Sequence, residues 1–416
     1  MKREIDPTIL VIFGATGELT TTRLLPALFH MAEKKLLPEK FAIVGFSRTV
    51  FTHEQFRETV KQKTGLLPQI YYSPGDINNP ADFQNLSKQI EALEKAGDDH
   101  ACANRLFYYA TLPSHYESLS QQLDRSGLLI GCTVHKRKTR VLLEKPFGRD
   151  LDSAKKLDQT LHQYFREEQI YRIDHYLGKE TVEKLLATEV KPEDVDHIQI
   201  SALEEGGIGR RGVLYEQIGA LRDFVQNHLL QLVALTAARE PDNKAAETLR
   251  DARAEVLSAI REPSRQELAD YFVAGQYQSY LREPNVSPQS KTETFAAVRL
   301  FLDYAKWKNT PFYLRTGKKL ERKCSEVLIA YKNGQTEIFE FRSGDGAYER
   351  LLLDFMQGDQ RLFARTDEIE YSWKYIDILE DYLKNHSEIL KIYEDSSFGP
   401  KEARELIRKD QRQWHL

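Results

Sequence analysis

Cysteine is scarce in this chain: the 416 residues include only three, Cys102, Cys132 and Cys324. They form no CxxC pair and share no ligand spacing with a histidine, so the sequence predicts reduced cysteines, a cytoplasmic location and no structural metal. Long apolar runs are also absent, and the N-terminal segment lacks the pattern of a signal peptide. Neither membrane insertion nor secretion is therefore expected.

The chain has no strong excess of charge of either sign. Its 59 basic and 63 acidic side chains give a formal net charge of −4, so binding to nucleic acid is not expected. The content of 41% apolar and 29% charged residues is typical of globular proteins. Because a chain of this length exceeds what one hydrophobic core usually serves, two domains are predicted, at residues 1–172 and 173–416.

The first half of the chain alternates short apolar runs with helical patterns. The runs that predict buried strands are residues 9–13, 41–46, 105–110 and 141–143. Strands that alternate with helices imply parallel crossovers, so the N-terminal domain is expected to be α/β, with a doubly wound parallel sheet of the Rossmann type. Thr20, Thr21 and Thr22 are predicted to cap the first helix.

The pattern changes after residue 175. The predicted elements are strands at 195–203 and 349–356, a long helix at 215–235 and a β-hairpin around Asn333-Gly334. A mainly antiparallel sheet with helices on it is the natural interpretation of this mixture. The C-terminal domain is therefore expected to be of the α+β class.

A glycine loop follows the first predicted strand. Gly14 and Gly17 stand where backbone amides approach a pyrophosphate in dinucleotide-binding folds. The spacing is shorter than GxGxxG, so a glycine turn in a nucleotide-free protein is the alternative. Ser47 and Arg48 end the second strand, and a small hydroxyl with an arginine suits a 2′-phosphate, which favours NADP over NAD. A surface arginine is the alternative for Arg48.

Two further segments have residues suited to chemistry. Lys145 follows a buried strand and so is expected at the edge of the sheet where ligands bind, next to Pro146, a candidate for a cis peptide bond. Residues 172–179, Arg-Ile-Asp-His-Tyr-Leu-Gly-Lys, set two cations, an imidazole, a carboxylate and a phenol around a glycine. This set suits an anionic, hydroxyl-rich ligand and the transfer of one proton. A solvated basic surface is the alternative.

The chain resembles glucose-6-phosphate dehydrogenases over nearly its whole length. The matching segments are GATGEL at 14–19, GFSR at 45–48, NRLFYYATLP at 104–113, EKPFGRDL at 144–151, RIDHYLGKE at 172–180, RDFVQNHLLQ at 222–231, TETF at 292–295, PFYLRTGK at 311–318, ERLLLDFMQGD at 349–359 and LFARTDE at 362–368. RIDHYLGK is highly specific to that family, whereas EKP and the glycine loop occur in other sugar oxidoreductases.

The resemblance implies NADP-dependent oxidation of glucose 6-phosphate to 6-phosphoglucono-1,5-lactone, with production of NADPH for the oxidative pentose phosphate pathway. It implies His228 as the general base and Asp174 as the carboxylate that orients it. The implied substrate contacts are His175, Tyr176, Lys179, Glu205, Asp223, Lys318, Lys323 and Arg23. The implied cofactor contacts are Gly14, Ala15, Thr16, Gly17, Glu18, Leu19, Ser47, Arg48, Asp76, Ile77 and Lys145. A homodimer or homotetramer is expected, since sheet-bearing domains of this kind commonly pair with a copy.

Two of these assignments have open alternatives. Glu204 competes with Glu205 for the substrate hydroxyl role. His228 lies on the apolar stripe of the predicted helix, so a buried core histidine is the alternative there. On an ideal α-helix Asp223 and His228 would lie about 140° apart, which argues against their acting on a single atom.

The chain also departs from the family pattern. Thr20, Thr21, Thr22 and Arg23 replace a lysine-rich run, and arginine keeps the charge of lysine but not its shape. After Lys179 an aromatic and basic segment is missing, and the whole chain is shorter than a typical member. Another sugar phosphate as the substrate is therefore one alternative. A non-catalytic NADP-binding protein on the same fold is the other.

Overall fold

The computed structural model describes residues 5–59, 69–95, 102–131, 137–238, 245–342, 344 and 346–415. The chain divides into two compact units. The N-terminal unit comprises Met1–Gly148, Lys155–Gly178 and Gly346–Ala364, and the C-terminal unit comprises Arg149–Ala154, Lys179–Asp345 and Arg365–Leu416. Each unit thus combines segments that are distant in sequence. The division at residues 172 and 173 stays a prediction for the extent of the functional domains.

The N-terminal unit is built on a six-stranded parallel sheet. Its strands are β1 (Thr8–Phe13), β2 (Phe41–Ser47), β3 (Ile70–Pro74), β4 (Asn104–Tyr109), β5 (Thr139–Leu143) and β6 (Ile170–Arg172). Their order is β3-β2-β1-β4-β5-β6, with every neighbouring pair parallel. All six residues of β1 are buried, as expected for a strand covered on both faces. The predicted Rossmann-type sheet is confirmed.

Helices connect these strands. Those of the N-terminal unit are Thr20–Leu24 (π), Leu25–Glu33, His53–Thr59, Pro80–Lys95, Pro113–His115 (3₁₀), Tyr116–Arg125, Leu151–His162 from residue 155 onward, Glu167–Gln169 (3₁₀) and Ala347–Gln357. The last of them corrects the strand predicted at 349–356. It lies between Gly346 and Gly358, both left-handed, and it buries Leu351, Leu352 and Phe355, a spacing that suits one helix face.

The threonines after the glycine loop do not cap a helix, contrary to the prediction. The helical turn already begins at residue 18, before the first of them. The hydroxyl of Thr21 donates to the Gly17 carbonyl at 3.1 Å and that of Thr22 to the Glu18 carbonyl at 2.7 Å. These threonines therefore bond back to carbonyls four residues earlier, as Ser and Thr do inside helices.

The C-terminal unit is built on a seven-stranded mixed sheet. Its strands are β7 (Val195–Leu203), β8 (Phe272–Tyr277), β9 (Phe295–Leu300), β10 (Phe312–Gly317), β11 (Cys324–Tyr331), β12 (Thr336–Glu340) and β13 (Leu390–Tyr393). Their order is β12-β11-β7-β10-β9-β8-β13. The pairs β7–β10 and β8–β13 are parallel and the others antiparallel. The hairpin at Asn333-Gly334 joins β11 and β12 as predicted.

The helix predicted at 215–235 is divided. The helices of this unit are Glu180–Ala187, Pro192–Asp194 (3₁₀), Gly209–Arg211 (3₁₀), Gly212–Tyr215, Leu221–Leu229 (π), Leu230–Ala237, Ala246–Ser258, Leu268–Tyr271, Tyr280–Arg282 (3₁₀), Ala305–Trp307 (3₁₀), Thr366–Asn385, Ser387–Ile389 (3₁₀) and Lys401–Arg408. Gly219 separates the first part of the predicted helix from the rest, because its φ of +65° is incompatible with a right-handed helix.

The cysteines differ from expectation in one respect. Cys102 is disulfide-bonded, so the prediction of reduced cysteines is wrong for this residue. Sequence spacing does not show which thiols a fold brings together. Cys324 has a free thiol, and Cys132 lies outside the described residues.

Within the part of the chain that the structure describes, no helix combines the length and the apolar character needed to traverse a bilayer.

Candidate active site

Four of the predicted site segments follow the carboxyl ends of strands in the N-terminal unit. The glycine loop follows β1, Ser47 ends β2, Lys145 comes after β5 and Asp174 comes after β6. Because these strands are parallel, their carboxyl ends meet at one edge of the sheet. That edge is where open α/β folds bind their ligands.

The geometry of the glycine loop requires glycine at its first position. Gly14 has a φ of +86°, and a Cβ there would lie 2.3 Å from the carbonyl oxygen of Ala110 at the end of the neighbouring strand. The Gly17 N–H donates to the Gly14 carbonyl at 2.9 Å and closes a tight turn. Ala15 is buried, whereas Thr16 and Glu18 are exposed and Leu19 is half-buried. The loop therefore presents a compact backbone before a helix, as pyrophosphate binding requires.

The turn that contains Arg48 is fixed by contacts that sequence reasoning did not identify. The Thr16 and Ser47 hydroxyl oxygens are 2.8 Å apart and link the glycine loop to the end of β2. The Tyr72 hydroxyl on β3 donates to the Thr49 carbonyl at 2.6 Å. The Arg48 side chain itself is exposed. A held backbone with an exposed guanidinium suits recognition of a phosphate outside the sheet.

Asp76 and Ile77 form the turn after β3. The Asp76 N–H donates to the Asp82 carboxylate at 2.8 Å, and an Asp76 carboxylate oxygen accepts from the Asn78 N–H at 2.8 Å. The Gly75 N–H also donates to the Ser47 carbonyl at 2.9 Å. This turn is therefore tied to the end of β2.

Glu144, directly before Lys145, is a candidate functional residue that the sequence analysis did not identify. Its carboxylate accepts hydrogen bonds from the hydroxyls of Tyr108 at 2.5 Å and Tyr348 at 3.4 Å. Burial raises the pKa of Glu144 to about 7, although the bond from Tyr108 acts in the opposite direction. The peptide bond between Lys145 and Pro146 is cis. A carboxyl group that titrates near neutral pH therefore lies next to a predicted cofactor-binding lysine.

Arg23 lies in the π-helical turn Thr20–Leu24 and its side chain is exposed. Its positive charge acts on the Tyr348 hydroxyl, where it partly offsets the rise in the pKa of Tyr348 that burial causes. The structure thus brings the charge of Arg23 close to the tyrosine that donates to Glu144.

Asp174 shapes a tight turn that presents His175 and Tyr176. The buried Asp174 carboxylate accepts a 2.9 Å hydrogen bond from the Tyr176 N–H, and its backbone carbonyl accepts one of 3.0 Å from the Leu177 N–H. The rings of His175 and Tyr176 lie 5.1 Å apart, edge to face. The imidazole is half-buried and the phenol is buried. The turn thus holds the imidazole and the phenol side by side.

The position of Arg172 corrects one expectation for residues 172–179, namely that both of their cations face a ligand. Its side chain is 2% exposed. The guanidinium donates to the carboxylates of Asp158 at 2.7 Å and Glu167 at 2.9 Å. Arg172 is therefore a buried anchor at the start of the segment, because its charge is already used inside the unit.

In the C-terminal unit, a buried lysine lies between two of the predicted acidic positions. The parallel strands β7 and β10 end in register at Leu203 and Gly317, so Glu204 and Lys318 follow side by side. The Lys318 ammonium forms ion pairs with Glu204 and, at 3.2 Å, with Asp223. It also lies 5.1 Å from the Tyr215 ring centroid and 5.4 Å from that of Phe224. Two carboxylates and an ammonium are thus held together by the sheet and a helix.

The other predicted substrate residues of this unit have different surroundings. Glu205 is exposed, and its carboxylate accepts a 3.2 Å hydrogen bond from the backbone N–H of Lys323. The geometry therefore favours Glu204 over Glu205 as the partner of Asp223. Lys179 is buried, and its ammonium donates to the carbonyls of Phe341 at 3.2 Å and Arg342 at 2.9 Å.

His228 and Asp223 share the π-helix Leu221–Leu229. In a π-helix the backbone bonds join residues five apart, so two side chains with that spacing lie on one face. The expectation of a wide angular separation on an α-helix was wrong for this reason. His228 is buried, and its ring lies 5.4 Å from that of Phe224. Asp174 belongs to the N-terminal unit, and its pairing with His228 stays a prediction.

The chain matches two family models and is similar to two solved structures. A family model described as "Glucose-6-phosphate dehydrogenase, NAD binding domain" matches residues 11–184. A second, "Glucose-6-phosphate dehydrogenase, C-terminal domain", matches residues 183–345 and 340–415. A structure of a glucose-6-phosphate dehydrogenase in complex with its substrate glucose-6-phosphate superposes with a TM-score of 0.88 at 27% identity, covering 100% of both chains. The Mycobacterium avium glucose-6-phosphate 1-dehydrogenase superposes with a TM-score of 0.82 at 28% identity, covering 99% of each.

Relatives of similar sequence have the same description. The glucose-6-phosphate 1-dehydrogenase of Treponema pallidum is 33% identical over 496 aligned positions, covering 99% of this chain and 95% of the relative. That of Bacillus subtilis is 32% identical over 493 positions, covering 100% and 99%. These alignments are longer than the 416 residues of this chain, so the relatives contain residues that it lacks. The chain belongs to the glucose-6-phosphate dehydrogenase family.

Proposed function

We propose that this protein oxidises glucose 6-phosphate at C1 to 6-phosphoglucono-1,5-lactone and reduces NADP. The observation that supports this most directly is the cluster of Glu204, Lys318 and Asp223, with His228 on the same helix face as Asp223. Carboxylates that bind sugar hydroxyls beside an imidazole that can accept a proton are what oxidation at an anomeric carbon needs. Family membership over the whole chain supports the same reaction.

In this proposal His228 accepts the proton of the C1 hydroxyl. The C1–H bond breaks with its electron pair, and NADP, when bound, supplies the nicotinamide that accepts the hydride. The C1–O bond becomes the carbonyl of the lactone. Asp174 serves as the carboxylate that favours the protonated imidazole, as acids do in other acid–histidine pairs.

We assign the phosphate to His175, Tyr176 and Lys179, because an imidazole, a phenol and an ammonium can each donate a hydrogen bond to a phosphate dianion. The sugar hydroxyls are assigned to Asp223 and Glu204, with Lys318 between the two carboxylates. Glu205, Lys323 and Arg23 stay as proposed peripheral contacts.

The cofactor assignment follows the sheet edge of the N-terminal unit. We propose that the backbone of residues 14–19 holds the pyrophosphate and that Lys145 and the Asp76-Ile77 turn complete the site. Ser47 and Arg48 favour NADP over NAD, because a guanidinium and a hydroxyl suit the 2′-phosphate that only NADP has.

The test is the appearance of reduced nicotinamide when purified protein meets glucose 6-phosphate and NADP. The His228→Asn variant should retain binding of the sugar phosphate while turnover falls about 10²- to 10⁴-fold, the usual contribution of a general base. Exchange of NADP for NAD should raise the KM of the cofactor, and an Arg48→Ala variant should reduce that difference. A folded wild-type protein without turnover would disprove the proposal.

A different sugar phosphate is the second candidate. It is favoured by Arg23, which replaces a family lysine, and by the residues that the longer relatives contain and this chain lacks. A panel of aldose phosphates and amino sugar phosphates, compared by kcat/KM, separates this candidate from the first. Tight binding of NADP with no turnover of any panel member would instead support a non-catalytic binding protein.

We also propose a homodimer or homotetramer located in the cytoplasm, with NADPH delivered to the pentose phosphate route. Light scattering of the purified protein tests the oligomer, and a mass equal to one chain would exclude it.

A further inference from the structure

The side chain of Asn227 is inserted into the backbone of the helix that carries His228. Its amide nitrogen donates to the Arg222 carbonyl at 3.0 Å, and its amide oxygen accepts the backbone N–H of His228 at 2.6 Å. The donor thus faces a carbonyl and the acceptor faces an N–H, so the two partners fix the orientation of the carboxamide.

Two backbone groups of this helix, the Arg222 carbonyl and the His228 N–H, thus bond to the Asn227 side chain. In a regular α-helix the His228 N–H would bond to the carbonyl of Phe224, four residues earlier. Here that N–H donates to the Asn227 side chain. A side chain inserted between backbone groups is a known cause of helix distortion. The distortion coincides with the π-helical segment Leu221–Leu229.

We propose that Asn227 is a positioning residue, whose carboxamide keeps Leu221–Leu229 in its π register and so holds His228 and Asp223 on one helix face. This inference deepens the proposed function and rests on it for its kinetic part. Asn227 acts on the reaction through the backbone of His228, not through the substrate.

Both ends of the segment Leu221–Leu229 are held in place, so a change of register must alter the side-chain positions inside it. At the start, the Leu221 N–H is held by the Glu293 carboxylate at 2.9 Å. At the end, every residue of the helix Leu230–Ala237 is buried. Because neither end of the segment is free to move, a return to α register would have to shift the residues between the two ends. It would rotate His228 away from Asp223, toward the separation of about 140° of an ideal α-helix.

A displacement of this kind is expected to affect turnover more than binding. Catalytic groups displaced by about 1 Å lose roughly 10²-fold in rate. The cofactor residues proposed above lie in the N-terminal unit, so their binding of NADP should not depend on Asn227.

The experiment compares three variants of the full-length protein. Asn227→Leu removes both hydrogen bonds and keeps the branching of the side-chain heavy atoms, and Asn227→Asp keeps the oxygen that faces His228 but loses the donor to Arg222. Asn385→Leu is the matched control, because the Asn385 amide donates to the Asp381 carbonyl at 2.7 Å on an exposed helix end. We expect kcat to fall about 10²-fold in Asn227→Leu, less in Asn227→Asp, and not in the control. The KM of NADP should stay within about twofold in all three.

A crystal structure of Asn227→Leu should show α register in residues 221–229. The inference is overturned by a retained π register in that structure, or by a kcat equal to that of Asn385→Leu. If Asn227→Leu does not fold, Asn227→Asp decides by the same two measurements. If the wild-type protein does not oxidise the sugar phosphate, the proposed function fails, while the register in the variant structure still decides the role of Asn227.

Discussion

The carboxylate of Glu293 accepts a 2.9 Å hydrogen bond from the backbone N–H of Leu221, the first residue of the helix that carries Asp223 and His228. The first N–H groups of a helix lack partners within it and favour negative charge nearby. Glu293 satisfies one of them from a distant segment, and its backbone carbonyl also accepts the Ala220 N–H at 3.0 Å. The start of the functional helix is therefore fixed by one buried acid.

This acid makes stability depend on pH. Burial raises the pKa of Glu293 to about 7 from its ordinary value of 4.5. The folded state therefore binds the proton more tightly than the unfolded state, and the stability it contributes is lost as the pH rises from about 4.5 through about 7. The expected loss is at most about 3–4 kcal/mol, from about 1.4 kcal/mol for each pKa unit between 4.5 and about 7.

The variant Glu293→Gln keeps the acceptor for Leu221 and cannot ionise. Its free energy of unfolding relative to wild type should therefore increase between pH 5 and pH 8. Urea unfolding of both proteins at the two pH values measures this. A difference that is the same at both would show that Glu293 does not titrate in this range.

Gly219 is expected to tolerate no side chain. Its φ is +65°, and a Cβ would lie 2.3 Å from a Glu293 carboxylate oxygen. Gly219→Ala should therefore lose about 1–2 kcal/mol for the left-handed backbone, and about 1–3 kcal/mol more for the clash inside a packed region.

Gly334→Ala is the matched control for this backbone effect. Gly334 has a φ of +87°, and a Cβ added there would meet no atom within 4 Å. At Gly334 only the energetic cost of the left-handed backbone conformation applies. Equal losses of unfolding free energy in the two variants would contradict the role assigned to the contact with Glu293.

The sequence predicted the parts of the fold that depend on local pattern. The alternation of apolar runs and helices gave the parallel sheet, and Asn333-Gly334 gave the hairpin. The strand predicted at 349–356 was wrong, because short apolar runs suit a strand and a helix equally. The glycines at 346 and 358 that bound this helix were the available signal.

Site residues that depend on register were harder to predict. The choice between Glu204 and Glu205 depends on the pairing of Leu203 with Gly317, and a one-residue shift would exchange the faces of the two acids. The relation of Asp223 to His228 depends on a π register that periodicity does not reveal. Glu144 owes its raised pKa to burial, which the residue types alone do not specify.

The two adjacent acids are expected to differ in their effect on catalysis. Glu204 forms an ion pair with Lys318, whereas Glu205 is exposed and bonds to the Lys323 backbone. Glu204→Gln should therefore lower kcat/KM for the sugar phosphate at least about 10-fold, the effect of losing roughly 1.4 kcal/mol of transition-state binding. Glu205→Gln should change it less than about twofold. The reverse order of the two variants would return the hydroxyl role to Glu205.

Arg172 is expected to act through stability, although it belongs to the most distinctive motif of the chain. Its guanidinium is buried between Asp158 and Glu167. Arg172→Met removes the buried cation that these two carboxylates share, and breaking a buried pair costs about 3–5 kcal/mol. Arg342→Met is the control, because the Arg342 side chain is 82% exposed in its pair with Glu340, and such pairs contribute less than about 1 kcal/mol.

Arg172→Met also distinguishes between two roles for Arg172, a structural anchor and a direct contact to the substrate. Arg172 lies two residues before Asp174, which forms the turn with Tyr176, so loss of the anchor should raise the KM of glucose 6-phosphate together with the loss of unfolding free energy. Urea unfolding and steady-state kinetics on one preparation measure both. A raised KM with unchanged stability would mean that Arg172 contacts the substrate phosphate directly, since removal of a surface cation costs binding but little folding energy.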